Sequence, residues 1–370
     1  MRAILNRNLR PDAVAPPATE PVSFHAGLPG YHPTPLRDLS DVAEELGVGT
    51  VALKDESRRL GLPAFKILGA SWAVERSLRQ HPDGHTLLAG SAGNHGRAIA
   101  HLAAQRGLRC RIFLPSSASP ARREAILGEG AEVVVVDGGF DAAISLAATE
   151  AQQEGQIEIA DAGTSQAAHW VIDGYSTLFN EVRSQQAFDL VLVPVGVGAL
   201  AAAAARFAAG TSAKVIGVEP AAAACLTASL AAGTPVSVAT PGTTMACLDC
   251  GSLSLAAWDS LRNGLHGTIT VTDLEVHASM RELAAAGFAI GDCGAASLAA
   301  LRALVSSPAC AALREMVALG RTSRVLLLAT EGSTDPAAYN AIVGTEWHEA
   351  KREVAQPAQS ALVSRSHGGI

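Results

Sequence analysis

The segment most able to carry covalent chemistry is KDESRRLGLPAFKILG at 54–69, which holds Lys54 and Lys66, two of four lysines in the 370-residue chain; the others are Lys214 and Lys351. Ala64, Phe65, Ile67 and Leu68 flank Lys66. Apolar surroundings penalise an ammonium, so the Lys66 pKa is expected to fall, and a neutral amine suits Schiff-base formation. The alternative is a structural lysine whose stem packs on apolar neighbours at a helix start. A second segment, SAGNHG at 91–96, follows the apolar run 86–89 and opens a helix expected over 94–106. Small residues before a helix N-terminus leave backbone N–H groups free for a carboxylate or phosphate. The plainer reading is a tight turn with Asn94 as N-cap. A third segment, PVGVGAL at 194–200, also joins an apolar strand to an Ala-rich helix, and its small residues let a phosphate approach the backbone.

These segments also exclude chemistry. The glycine spacing at 91–96 is not G-x-G-x-x-G, which disfavours a nicotinamide dinucleotide, and 194–200 lacks the terminal G-K-S/T of a nucleotide P-loop. Cys247 and Cys250 form a C-x-x-C, but no second pair stands at zinc-ribbon spacing, and six cysteines in so long a chain do not make a disulfide scaffold. Reduced thiols near a turn are the simpler reading of that pair.

The elements that must position these residues alternate. Short apolar runs at 50–53, 86–89, 111–114, 132–136 and 157–159 are separated by helical stretches at 41–46, 94–106, 119–127 and 140–154. A second alternation has strands expected at 190–194, 214–218, 268–271 and 324–329. This pattern predicts an α/β fold with two open parallel-sheet lobes and a ligand in the cleft between them. The expected division is an extended, proline-rich arm at 1–30, a large domain from 31–80 with 180–345, a small domain at 81–179, and a polar tail at 346–370. Composition agrees: 48% hydrophobic residues can fill two cores, and only 4% are aromatic, so packing relies on Ala, Val, Leu and Ile. A net charge of −7 with no basic cluster argues against nucleic acid and anionic membrane as partners. The apolar region 190–205 is broken by Pro194, Gly196 and Gly198, so it reads as strand, turn and helix rather than a membrane span. With no apolar N-terminal run of the secretory kind, a cytoplasmic location is expected.

Taken in order, the motifs resemble the pyridoxal-phosphate enzymes of the tryptophan synthase β and threonine dehydratase fold, fold type II, over about residues 31–340. The similarity is most marked to diaminopropionate ammonia-lyases, which pair a Y-x-P-T-P-L opening with K-D-E-S-x-R-x-G-L-x-A-F-K-x-L-G; here these fall at 31–36 and 54–69. GNHGR at 93–97, DGYSTL at 173–178, TTMACLDCG at 243–251 and TEGSTD at 330–335 extend the match.

The resemblance implies pyridoxal 5′-phosphate as cofactor, bound covalently by Lys66. Asn94 would contact the cofactor's 3′-oxygen, and Gly196, Val197, Gly198, Ala199 and Leu200 would hold its phosphate. Thr330 would meet the pyridine nitrogen, with Ser333 as a substitute. Ser91, Gly93, Asn94 and Asp292 would meet the substrate, and Lys66 or Asp161 would take the α-proton. The implied reaction is α,β-elimination of a small β-substituted amino acid to a 2-oxo acid and ammonia; 2,3-diaminopropionate would yield pyruvate and two ammonia. A serine or threonine dehydratase and a β-replacement synthase are the alternatives, and a homodimer is the implied assembly. Two departures stand out. The lyases commonly read D-G-N-H-G where this chain has Ala92 before Gly93, and the missing aspartate serves D-substrates, so L-selectivity is expected. Their G-E-S-G-A becomes Gly291-Asp292-Cys293-Gly294-Ala295, a shorter acid and a thiol for a hydroxyl.

Overall fold

The computed structural model describes residues 3–91 and 93–344, with the backbone alone at 140 and 141. Eleven strands form among them: β1 (Ala3–Leu5), β2 (Leu36–Asp38), β3 (Thr50–Asp55), β4 (Thr86–Gly90), β5 (Arg109–Pro115), β6 (Glu132–Val136), β7 (Gln156–Glu158), β8 (Leu190–Pro194), β9 (Lys214–Pro220), β10 (Gly267–Val271) and β11 (Arg324–Ala329). They build a seven-stranded sheet in the order β1-β10-β9-β8-β11-β3-β2 and a four-stranded sheet in the order β6-β5-β4-β7. The interior pairings of both sheets are parallel. Strands covered by helices on both faces read as unbroken apolar runs, as LVLVP in β8 and RVLLLA in β11 do.

The large sheet closes on antiparallel edges, β1 against β10 and β2 against β3. This corrects the expectation of an extended arm over 1–30. That region contributes β1 and a helix, Glu20–Ala26, which seats His25 in the interior. His25 Nδ1 lies 2.7 Å from the Thr177 hydroxyl, and Nε2 lies 3.0 Å from the Leu68 carbonyl. The Leu68 carbonyl belongs to the helix Ile67–Gln80 that begins immediately after Lys66, so the N-terminal region braces the active-site segment. The tail expected at 346–370 lies outside the described residues.

The helix Ile67–Gln80 is also held by its close approach to the helix Gln166–Gly174. A Cβ at Gly69 would lie 2.6 Å from a Tyr175 ring carbon and 2.7 Å from the Val171 carbonyl; one at Gly174 would lie 2.6 Å from the Leu68 carbonyl. Only glycine permits that backbone contact. Among the described residues, no single helix is long and apolar enough to cross a membrane.

Candidate active site

The segments following β4, β5, β8 and β11 converge on one cavity of about 480 Å³. It opens beyond the carboxyl ends of strands from both sheets, where open α/β sheets bind ligands. Lys66, Ser91, Gly93, Asn94, Asp161, the turn 196–200 and Thr330 all line it. Asp292 does not; its neighbour Cys293 does. Ala92, the position of the missing aspartate, is outside the described residues.

Lys66 stands at the N-cap position of the helix Ile67–Gln80. The preceding loop is tied to the end of β11: the Phe65 N–H donates to the Thr330 carbonyl at 3.2 Å, and the Gly332 N–H donates to the Pro63 carbonyl at 3.0 Å. Lys66 Nζ donates to Asp161 Oδ2 at 2.8 Å, joining the two sheets' contributions. Burial opposes the charge of each group, but the charge partners win: Asp161 holds Lys66 above the ordinary lysine range, and His95 in its protonated form together with Lys66 holds Asp161 below the ordinary carboxylate range. The apolar-flank expectation of a lowered Lys66 pKa is thereby overturned. Its sequence neighbours are apolar, but its spatial neighbour is a carboxylate ninety-five positions away, and the charge partner decides the direction.

The turn after β4 is capped differently from the expectation. Gly93, with extended backbone, is the N-cap, and Asn94 is the first residue of the helix Asn94–Arg106. Ser91 Oγ accepts from the Gly96 N–H at 3.1 Å and the Gly93 N–H at 3.4 Å, so the serine, not Asn94, satisfies the Gly96 donor. The Asn94 amide is thereby free to face the cavity, where its Nδ2 donates to Glu331 Oε2 and approaches Cys247 Sγ at 3.6 Å.

His95 was not singled out from sequence, though it neighbours Asn94. It is buried and its Nε2 donates to the Ile159 carbonyl at 2.7 Å, leaving Nδ1 toward Asp161 Oδ2 at 3.9 Å. Burial holds its pKa below the usual imidazole value despite Asp161. A neutral ring with Nε2–H satisfies the Ile159 carbonyl. Arg122, near the start of the helix Pro120–Gly128, also lines the cavity. Ser119 caps that helix, its Oγ accepting from the Arg122 N–H at 3.4 Å.

The turn after β8 fits a phosphate. The helix Ala199–Ala208 starts with no side-chain cap, so its first-turn N–H groups are left for a ligand, and Gly198 holds φ +94°, a left-handed conformation that favours glycine. A Cβ at Gly196 would lie 2.8 Å from the Cys247 carbonyl. At the end of β11, Thr330 Oγ1 is buried on the cavity wall without a hydrogen-bond partner. A tethering amine, an anion cradle and an unsatisfied hydroxyl in one cavity match the amine-reactive carbonyl, phosphate and ring of pyridoxal phosphate.

Thiols and acids line the rest. Cys247 and Cys250 both face the cavity, and no two of the six cysteines are joined by a disulfide. Hydrogen bonding from Cys293 holds Cys247 below the ordinary thiol range, while burial pushes Cys293 above it. Burial likewise raises Glu331 well above the usual carboxylate range.

The KDESRR motif proves to be scaffold on one side of Lys66. Lys54 Nζ donates to Glu181 Oε2 at 2.8 Å and to the Thr34 carbonyl at 2.7 Å. Arg59 bonds Glu56 Oε2 through Nε at 2.8 Å and both Glu181 oxygens, at 2.7 and 2.8 Å. Two cations and two carboxylates balance in the interior, which is the condition under which buried charge is tolerated. Tyr31 and Thr34, from the YHPTPL opening, complete the cluster through Glu181.

Fold and site together define an enzyme that uses pyridoxal phosphate. The family model for pyridoxal-phosphate dependent enzymes matches residues 28–330, and the chain belongs to that family. Within it, the chain is 34% identical over 355 residues to the diaminopropionate ammonia-lyase of Escherichia coli (strain K12), covering 86% of this chain and 89% of the relative. It is 30% identical over 253 residues to the biosynthetic L-threonine dehydratase of the same organism, covering 68% of this chain and 48% of the relative. The crystal structure of the E. coli diaminopropionate ammonia-lyase in complex with an aminoacrylate–PLP azomethine reaction intermediate superposes with a TM-score of 0.85 at 30% identity, covering 92% of this chain and 96% of that one.

Proposed function

We propose that the protein is an L-selective ammonia-lyase that converts 2,3-diaminopropionate to pyruvate and two ammonia. The reaction class rests on the Lys66–Asp161 pair, an amine and its proton partner 2.8 Å apart in a cavity built for pyridoxal phosphate. The substrate is supported by the extent of similarity to diaminopropionate ammonia-lyase and by the charge of the cavity. Asp249 lines it and has a buried Oδ1 without a hydrogen-bond partner, an acceptor suited to a substrate's second ammonium group.

Pyridoxal phosphate supplies the electron sink that lets the α-proton and then the β-substituent leave. Lys66 would hold the cofactor covalently through its side-chain amine. Asp161 holds the proton that Lys66 must give up to act as a nucleophile, and the pair accepts the α-proton between them. The neutral His95 ring adds no second positive charge beside Asp161. Thr330, whose buried Oγ1 has no hydrogen-bond partner, would offer the ring nitrogen a neutral hydroxyl rather than a carboxylate, a contact suited to elimination. Gly196 to Leu200 hold the phosphate by backbone N–H groups. Ser91, Gly93 and Asn94 stand where the substrate carboxylate is held. Ala92 brings no acid or base, so the proton chemistry belongs to the Lys66–Asp161 pair and serves one enantiomer. A homodimer in the cytoplasm belongs to the same reading.

Steady-state assays with both diaminopropionate enantiomers, L-serine and L-threonine test the proposal. The expected order places L-diaminopropionate first in kcat/KM, with the D-isomer far behind. Equal rates for the two enantiomers would remove the selectivity, and a preference for threonine would reassign the enzyme as a dehydratase.

A further inference from the structure

Cys247, Cys293 and Glu331 are far apart in sequence and meet on the cavity wall. Cys293 belongs to the first turn of the helix Asp292–Ser306, and Glu331 follows β11. One ligand atom from each lies within 4.8 Å of the other two. Cys293 and Glu331 are each 1% exposed. Glu331 Oε2 accepts from Asn94 Nδ2, whereas Oε1 is buried without a hydrogen-bond partner. A carboxylate oxygen beside two sulfurs and bonded to nothing is the observation that asks for a ligand.

The donor set selects the ligand's chemistry. Two thiolates and one carboxylate disfavour magnesium and calcium, which take oxygen donors, and favour zinc and its softer congener cadmium. Zinc–sulfur bonds of about 2.3 Å in a tetrahedron place two sulfurs about 3.8 Å apart. Sulfur and oxygen on one zinc lie about 3.5 Å apart, so the triad needs to contract by no more than about 1.3 Å to reach coordination distances. Binding would release the thiol protons to solvent. Asn94 then serves as an outer support, holding the far oxygen of Glu331 and lying 3.6 Å from Cys247 Sγ. All three ligands line the cavity that contains Lys66 and Asp161, so a fourth coordination position opens toward the reacting groups.

We propose that Cys247, Cys293 and Glu331 form a site for one zinc-class divalent ion on the wall of the active-site cavity, and that its occupancy inhibits the enzyme. The site goes beyond the reaction assigned above and does not depend on which amino acid is the substrate.

The holoenzyme, stripped of metal, freed of excess cofactor and kept under a non-chelating reductant, is dialysed against zinc and passed through gel filtration. About one zinc per chain is expected to remain bound, and turnover is expected to fall as zinc is added. Cadmium is expected to produce an ultraviolet sulfur-to-metal charge-transfer band, which reports thiolate ligation without any activity assay. Cys293→Ser and Glu331→Gln should each weaken binding at least about tenfold, while Cys110→Ser should leave it unchanged. Absence of both retained zinc and the cadmium band in the wild-type holoenzyme would overturn the proposal even if a variant failed to fold. Binding that survives Cys293→Ser and Glu331→Gln unchanged would overturn it as well.

Discussion

Lys66 Nζ and Asp161 Oδ2 lie 2.8 Å apart, and each holds the other in its charged form against the cost of burial. The amine before cofactor binding is thus an ammonium with its proton acceptor already in place. Under the proposed function Lys66 must give up that proton to act as a nucleophile, and Asp161 is the carboxylate in hydrogen-bond contact with it. The seven-stranded sheet presents Lys66 next to β3 and β11, and the four-stranded sheet presents Asp161 just beyond β7, so the chemistry depends on both sheets.

Replacing Asp161 by asparagine keeps the shape and removes the charge. Turnover is expected to fall by about 10²- to 10⁴-fold, the range for loss of a general acid–base group. The Lys66 ammonium also loses the partner that raises its pKa, so the pH profile of kcat/KM should change shape as well as height. Cofactor content should remain, because the tethering amine is intact. A variant with wild-type turnover and an unshifted profile would show that Asp161 is only structural.

The buried cluster of Lys54, Arg59, Glu56 and Glu181 predicts a large stability effect well away from the reacting atoms. Glu181→Gln leaves two cations facing one carboxylate in the interior. Breaking a buried pair in this way costs about 3–5 kcal/mol. Urea unfolding should show that loss as a lower midpoint, and a change below about 1 kcal/mol would mean that water or another group compensates.

His25 predicts a pH dependence of stability. Burial lowers its pKa from 6.5 to about 4 in the fold, where Nε2–H donates to Leu68 and Nδ1 accepts from Thr177. As pH falls through 6.5 the unfolded chain gains a proton that the folded chain refuses until about 4. Stability therefore declines across that window, by about 3 kcal/mol from this residue at the low end. Thermal unfolding followed from pH 7 to about 4.5 should fall less steeply for His25→Gln than for wild type. Parallel curves would remove His25 from the account.

The parts of the fold that sequence revealed are those with length and burial behind them. β8, β11 and the helix Asn94–Arg106 occupy the expected residues, because buried strands and helices of three turns leave continuous apolar patterns. β1 and β2, with three residues each, are too short to show a period, and both owe their strand geometry to a partner edge. Lys66, Asn94, the 196–200 turn and Thr330 were legible because local motifs carry them. His95, Arg122 and the meeting of Cys247 with Cys293 and Glu331 were not, since each depends on a contact distant in sequence. The Lys66 pKa was read in the wrong direction for the same reason: flanking residues predict its desolvation and are blind to Asp161.

The measurement closest to the central claim is the ammonia-to-pyruvate ratio when the holoenzyme consumes L-2,3-diaminopropionate to completion. Loss of the β-ammonia followed by hydrolysis of the amine product predicts two ammonia for each pyruvate, with no product from a Lys66→Ala variant. A ratio of one, or undiminished turnover without the Lys66 amine, would contradict the account.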